Sequence, residues 1–599
     1  MTAVGLFTPL GSTQSADAED EAWVRATLAS MSLDQRIGQL VVPSFESDFG
    51  STDSDRFDEL MRLVRDQHVG GIHVFGARQA VPEVRLNPTY ARVVLGDPLA
   101  AGATLNRLQQ AAQVPLLVTA DFESGVGFRM KGATLFPRAM AFGAAGDERL
   151  AFEAGRITAI EGRAVGVHVN FAPVVDVNNN PRNPVINTRS FGEDPALVSR
   201  MAVAYIRGLR QGGMLSSAKH FPGHGDTDVD THLGLARISH DRRRWERVEW
   251  APFRASIEAG VDALMTGHIE IPALHPGDPV PATLSQTAVE GFLRREVGFE
   301  GLIYTDSMSM AAVANLMDPG EAAVQAIVAG NDVVLHSPDP VAAIAAIRSA
   351  VDAGRVSESR LAASVERVLR AKARVGLDRE RRVDLDEMPA RVGGRLHAGA
   401  ASEVAERGLT LLRDQRGDVP LGIAPDGSLL YLSVLDYPSN WGTGAPSRAI
   451  IPELQKRWPR VTAIEVSDQT GASDLQSVGA EADRYDAIVL GVFVRTASGS
   501  GRMDLAEPVT ALLEALAVKV SGSGQPLVAV LFGNPYVAMA LPRIPAVILA
   551  FDSSDHAEVA AARALAGETP IGGRLPISLP GLGAVGFGLT RPAASTSIR

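Results

Sequence analysis

Between Lys219 and His232 the chain reads KHFPGHGDTDVDTH, one lysine, three histidines and three aspartates within fourteen residues. Such a density of ligating and titratable groups suits either a metal ion or proton transfer. Asp226, Asp228 and Asp230 alternate as in a calcium loop. The sixth position, however, is Thr231 where that loop needs glycine, and the twelfth is Arg237 where it needs a bidentate glutamate. The histidine spacing matches no zinc pattern either, so no metal is expected. Asp230 and His232 stand two residues apart, close enough for the carboxylate to accept the imidazole N–H. That pairing would fix the tautomer and stabilise the protonated ring, as a general acid/base requires. The competing reading is a surface Asp–His contact. Pro222, Gly223 and Gly225 break regular structure, which predicts a loop from His224 onward.

A second acidic group stands at Asp306, in IYTDSMSM after an apolar run. A carboxylate facing a proton donor on another loop is the minimum equipment for retaining glycoside hydrolysis. A helix N-cap is the alternative use of that aspartate. Asp121, Arg129, Arg189, Lys219 and His220 add donors and acceptors suited to sugar hydroxyls, although Arg189 in NTRSFGEDP could instead pair with Glu193 or Asp194.

These residues need a frame. From about Ser32 to Ser337, eight apolar runs alternate with stretches of helical spacing: IGQLVVPSF, VGGIHVFG, VPLLVTADFE, GVHVNFAPVVDV, GMLSSAKHF, DALMTGHIEI, GLIYTDSM and NDVVLHS. Eight such units predict a (β/α)8 TIM-type barrel rather than an open doubly wound sheet. Polar residues collect where the runs end: Asp121, Asp176 and Asn178, Lys219 and His220, His268, Asp306. Chemistry sits at that end of a barrel. The expected division is a barrel over 21–377, a linker over 378–400, a C-terminal α/β sandwich domain over 401–590 and a tail over 591–599. Gly442 to Ser447, GTGAPS, lacks the third glycine of a dinucleotide loop and reads as a plain turn.

The chain has 599 residues, no cysteine and a formal net charge of −12. Disulfides and thiolate chemistry are excluded, nucleic acid and anionic membrane are disfavoured as partners, and no apolar run is long enough for a membrane span. Residues 1–20 read as a disordered tail or a signal-peptide remnant: Val4 to Leu10 is apolar, small residues follow, and no basic residue precedes Arg25. The expectation leans to a secreted or periplasmic protein, with the cytoplasm as the alternative. Nothing in the sequence marks an oligomeric state.

MSLDQRIGQL, DFESGVGFR, FAPVVDVNNNPRNPVINTRSFGEDP, KHFPGHGDTDVDTH and YTDSMSM occur in this order, with GETPIGGRLPISLP near the C-terminus. Together they resemble the bacterial β-N-acetylglucosaminidases of glycoside hydrolase family 3, over nearly the whole chain. The resemblance implies Asp306 as catalytic nucleophile, His232 as acid/base and Asp230 as its dyad partner. It implies Asp121, Arg129, Arg189, Lys219 and His220 as binders of a non-reducing N-acetylglucosamine, with no cofactor or metal. The expected activity is a retaining exo-β-N-acetylglucosaminidase acting on peptidoglycan fragments or chitooligosaccharides. A family 3 β-glucosidase or xylosidase, a non-catalytic sugar-binding protein and a metal-dependent hydrolase sensitive to chelators are the rival readings. The chain departs from the family where Glu123-Ser124-Gly125-Val126 replaces an acidic-Gly-Gly-Arg run, and where the loop ends Asp-Thr-His in place of Asp-Ser-His. A histidine acid/base, neutral once it has lost its proton, would also tolerate phosphate as the attacking group.

Overall fold

The computed structural model describes residues 13–78, 93–277, 280–436, 445–495 and 503–594. Residues 1–12 and the first half of the GTGAPS turn, 442–444, lie outside that set, so the leader and turn expectations fall in part on residues not described. The chain is helical from Thr13 to Ser30.

The eight apolar runs form eight parallel strand positions around a ring. The first run is interrupted at Pro43, which has no N–H to give a ladder. Val41–Val42 (β1) lies before it and Ser44–Glu46 (β2) after it. Then follow β3 (His73–Phe75), β4 (Thr119–Ala120), β5 (Val169–Asn170), β6 (Leu215–Phe221), β7 (Ala263–Thr266), β8 (Leu302–Thr305) and β9 (Val334–Leu335). The strands from β2 to β8 pair in sequence order as one parallel sheet. β1 pairs in parallel with β9, Val41 opposite Val334, and Val333 bridges to Tyr304 of β8. The ring is therefore closed, as the repeat predicts.

Four of the outer helices begin at an Asp-Pro step, at Asp97, Asp194, Asp318 and Asp339, and each aspartate caps its helix by accepting a backbone N–H. Proline at the first helical position costs no hydrogen bond and sets φ for the turn that follows. Val42, Leu117, Phe171, Met265, Tyr304 and Leu335 pack inside the barrel. Below them, buried Asp332 accepts from Ile303 N and Ser364 Oγ and pairs with Arg294 and Arg367.

The second domain is a six-stranded sheet built from β10 (Thr410–Asp414), β11 (Ser428–Leu435), β12 (Arg460–Val466), β13 (Ala487–Val494), β14 (Leu527–Gly533) and β15 (Ala546–Leu549). The strand order is β10-β15-β14-β13-β11-β12, and only β10 runs antiparallel to its neighbour. Along β11 the pleat sends Leu429 and Tyr431 to one apolar layer, beneath helices Ile450–Arg457 and Asp555–Leu565. Leu430 and Leu432 go to the other, with Ala472–Glu481 and Glu507–Ser521. This is the expected α/β sandwich.

The stretch expected to link the domains lies along the barrel as a strap. Asn106 exchanges two 2.8 Å hydrogen bonds with the backbone of Val383, and Met388 is buried. Buried Glu161, on barrel helix Glu148–Val165, accepts from Gly393 N (3.0 Å), His397 Nδ1 (2.7 Å), Thr134 N (2.9 Å) and Thr134 Oγ1 (2.6 Å). Glu161→Ala leaves these donors buried without an acceptor, a loss of about 3 kcal/mol or more. It should lower the thermal midpoint clearly more than His397→Ala does. Equal midpoints for wild type and Glu161→Ala would show that the strap carries no load.

Candidate active site

The polar ends of the barrel strands converge. Asp121 follows β4 directly, and the chain then turns at Gly125, whose φ of +82° and 2.6 Å approach of a would-be Cβ to Thr134 O admit only glycine. Val126, at the motif's arginine position, is fully buried, so the departure from the family run is absorbed by the core. Lys219, in β6, has a side chain only 3% exposed and reaches across to Asp121 Oδ1 at 2.6 Å and Glu123 Oε1 at 2.8 Å. Arg189, in the turn Asn187–Arg189, meets Glu123 with two parallel bonds of 2.9 and 2.7 Å. Its Nη2 also lies 3.4 Å from His220 Nε2. His220 Nδ1 stands 2.7 Å from buried Asp176, which leaves Nε2 as the acceptor facing Arg189. Arg129 lies 3.5 Å from Asp121 and over the rings of Phe75 and Phe128.

All five residues expected to bind sugar thus belong to one charge cluster. Arg189 pairs with neither nearby acid suggested by the sequence. Glu193 is taken by Ser578 of the second domain, and Asp194 caps the helix Pro195–Gln211. Glu123, His73 and Arg138 complete the cluster without having been singled out as binders. His73 Nε2 is 3.4 Å from Asp121, and Arg138 is 3.9 Å from Glu123. His73 opens β3 in the middle of an apolar run, so the pattern of polar residues at strand ends did not point to it.

Burial alone would raise the carboxyl pKa values of Asp121 and Glu123. Lys219, His73 and Arg129 outweigh it at Asp121, and Arg189 and Lys219 at Glu123, so both are held well below the usual range. Asp306, directly after β8, follows the same logic: burial raises it, but His220, His268, the Ser307 N–H and Lys219 bring it down. It is ionised at neutral pH. Its Oδ1 accepts from its own neighbour, Ser307 N, at 2.7 Å, and the next helix, Ala311–Ala314, has no side-chain cap. Asp306 is therefore not the N-cap that its sequence context also allowed.

The loop after β6 is held at its stem. His224 N donates to Asp176 at 2.6 Å, Asn183 Nδ2 to His224 O at 2.7 Å and Trp245 Nε1 to Pro222 O at 2.8 Å. Gly225 passes so close to Val177 that a Cβ would sit 1.9 Å from its carbonyl oxygen. Beyond the stem, His232 Nδ1 is 2.7 Å from Asp230 Oδ1, and the same oxygen accepts His232 N at 2.9 Å. The Asp230 side chain is 2% exposed and that of His232 38%. Burial lowers the pKa of His268. Ala312 N donates to Thr231 O at 3.3 Å, so the loop that carries the Asp230–His232 pair lies against the segment that follows Asp306. The three loop aspartates go to three different partners, Asp226 to His240, Asp228 to Arg182 and Asp230 to His232, so no calcium cage forms.

The second domain braces this arrangement. Asn187 Nδ2 donates to Asn534 Oδ1 and Asn178 Nδ2 to Tyr536 OH, both at 3.0 Å, while Arg138 N donates to Asp552 at 3.3 Å. Segment 178–193, which carries Arg189, is thereby fixed from outside the barrel. The domain to which the sequence assigned no role holds part of the site.

The depressed carboxyls stabilise the fold above about pH 4, and that contribution is lost as pH falls through their lowered native pKa values. Lys219→Gln removes the main cation acting on Asp121, so those values rise and the loss begins sooner. Acid titration followed by circular dichroism should show Lys219→Gln unfolding at a higher pH than wild type. An unmoved midpoint would contradict the cluster's electrostatics.

Residues 32–371 match the Glycosyl hydrolase family 3 N terminal domain. A protein of Cellulomonas fimi described as a β-N-acetylglucosaminidase/β-glucosidase is 30% identical over 94% of this chain and 96% of its own. A solved family 3 β-N-acetylglucosaminidase from Paenibacillus sp. str. FPU-7 superposes with a TM-score of 0.79 at 33% identity, covering 92% of this chain and 99% of that one. A solved β-glucoside phosphorylase gives 0.80 at 26% identity over 94% and 96% of the two chains. A barrel of eight parallel strands with an ionised carboxylate and an Asp–His pair at one mouth, backed by an α/β sandwich, agrees with these matches over nearly the full length, and the chain belongs to glycoside hydrolase family 3.

Proposed function

We propose that the protein is a retaining exo-β-N-acetylglucosaminidase that removes non-reducing β-linked N-acetylglucosamine from peptidoglycan fragments or chitooligosaccharides. The observation that carries this reading is the 2.7 Å Asp230–His232 pair, on a loop that bonds to the segment following ionised Asp306. The names of the Cellulomonas and Paenibacillus relatives agree with it.

The geometry suits two steps. Asp230, bonded to Nδ1, leaves Nε2 of His232 to carry the working proton. Asp306 attacks the anomeric carbon while His232 protonates the leaving oxygen, and the glycosidic C–O bond breaks as the ester to Asp306 forms. Neutral His232 then takes a proton from water, whose oxygen displaces Asp306 with configuration retained. Asp121, Arg129, Arg189, Lys219 and His220 hold the sugar hydroxyls, each already fixed by a partner within the cluster, so little side-chain ordering is needed on binding.

Initial rates on chromogenic β-N-acetylglucosaminide and β-glucoside at equal concentration test the specificity, and a strong preference for the N-acetyl sugar is expected. Preference for the glucoside would favour the second activity in the Cellulomonas relative's description. His232→Ala should lose ~10²–10⁴ in rate on substrates with poor leaving groups and much less on activated ones. An undiminished rate on a poor leaving group would remove His232 from the mechanism. Because one structural neighbour is a phosphorylase, reaction in concentrated phosphate should be assayed for glycosyl phosphate. Its formation would show that phosphate can take the place of water in the second step.

A further inference from the structure

Behind the catalytic loop a second cluster of ligating groups plays no part in the chemistry above. It brings together Asp226, on the loop six residues before His232, His240, after the short strand Ala236–Arg237, and Glu249, at the start of helix Trp250–Glu258. One ligand atom from each lies within 4.8 Å of those of the other two. The Asp226 carboxylate contacts His240 Nε2 directly. The Glu249 side chain is fully buried and is held by Arg244 Nη1, 2.9 Å from each of its oxygens. Asp226 and His240 are partly exposed and leave the cluster open to solvent on one side. Burial raises the Glu249 carboxyl, Arg244 draws it down, and facing Asp226 adds a smaller push upward. Two carboxylates, Asp226 and Glu249, stand in the pocket against one arginine, Arg244.

We propose that Asp226, His240 and Glu249 form a three-ligand site for a divalent transition-metal ion, zinc fitting best, that pins the His232-bearing loop to the body of the barrel. Two carboxylates and one imidazole, with a fourth position open to water, match zinc's ligand preferences. Calcium wants six or more oxygens and magnesium a near-octahedral shell, and neither suits an imidazole. Zinc bonds of about 2.0–2.2 Å draw tetrahedral ligands to roughly 3.4 Å apart. The cluster would therefore contract slightly, with Asp226 moving on its loop while Arg244 keeps Glu249 oriented from behind. The ion is structural: glycosidic bond cleavage remains with Asp306 and His232. The calcium and zinc patterns weighed in the sequence missed this set because Glu249 lies 23 residues beyond Asp226.

The test is calorimetric titration of the full chain, stripped with chelator and dialysed metal-free, with zinc chloride, alongside thermal midpoints. One zinc per chain with micromolar or tighter affinity, and a midpoint raised by several degrees, is expected. His240→Ala and Asp226→Asn should each weaken binding at least tenfold and abolish the midpoint rise, while magnesium at equal concentration has no effect. His232→Ala should bind zinc as wild type does, which separates this site from the Asp230–His232 pair. Amide exchange across residues 224–240 should slow with zinc in wild type and not in His240→Ala. No zinc binding, binding unchanged in both His240→Ala and Asp226→Asn, binding lost in His232→Ala, or loop exchange indifferent to zinc would each overturn the proposal.

Discussion

The arrangement of the site depends on one buried ammonium. Lys219 is almost wholly removed from water and survives as a cation only because Asp121 and Glu123 stand within hydrogen-bond reach. Burying an isolated charge costs several kcal/mol, and removing either side of such a pair strands the other. The lysine therefore dictates where its neighbours go. β4 must deliver Asp121 opposite β6, and the turn at Gly125 must bring Glu123 back beside it. Glu123 is then left with a second oxygen, which Arg189 satisfies through its planar fork. The remaining contacts follow outward, from Arg189 to His220 and from His220 to Asp176. The chain runs between strands, which are rigid, and ends at the second domain, which props the Arg189 segment from behind.

Much of the fold was legible because its signals are local. Each barrel strand is a short apolar run of its own, and the Asp-Pro steps announce helix starts within two residues. Closure was inferred from the count of units, and the pairing of Val41 with Val334 realises it. The strap was not legible. Its residues are charged and irregular, as a linker's are, and only the positions of Asn106 and Glu161 on distant helices turn it into packed structure.

The site divides along the same line. Asp230 and His232 could be paired from spacing alone, since two residues suffice to bring carboxylate to imidazole. Arg189 could not be paired, because its acid lies 66 positions earlier, while the two acids close by in sequence are committed elsewhere. Glu123 was seen only as part of an altered motif, since nothing local shows what a carboxylate two residues past a strand end will meet. His240 and Glu249 escaped for the same reason.

That division has a chemical logic. In the proposed mechanism the nucleophile must hold one protonation state and one position, and a residue directly after a core strand, with Lys219 among the groups that keep it ionised, provides both. The proposed acid/base must change protonation state in each half-reaction and must meet leaving groups of differing size, so a rigid position would be a handicap. Carrying it on a loop together with its own counter-ion resolves the conflict. Asp230 is buried in the loop two residues from His232, so the 2.7 Å bond is made within the loop and not across to the barrel. The tautomer is thereby set by covalent neighbourhood and the approach to substrate by the loop's anchorage. An anchor at Asp226, His240 and Glu249 would act on the approach alone and leave the tautomer untouched.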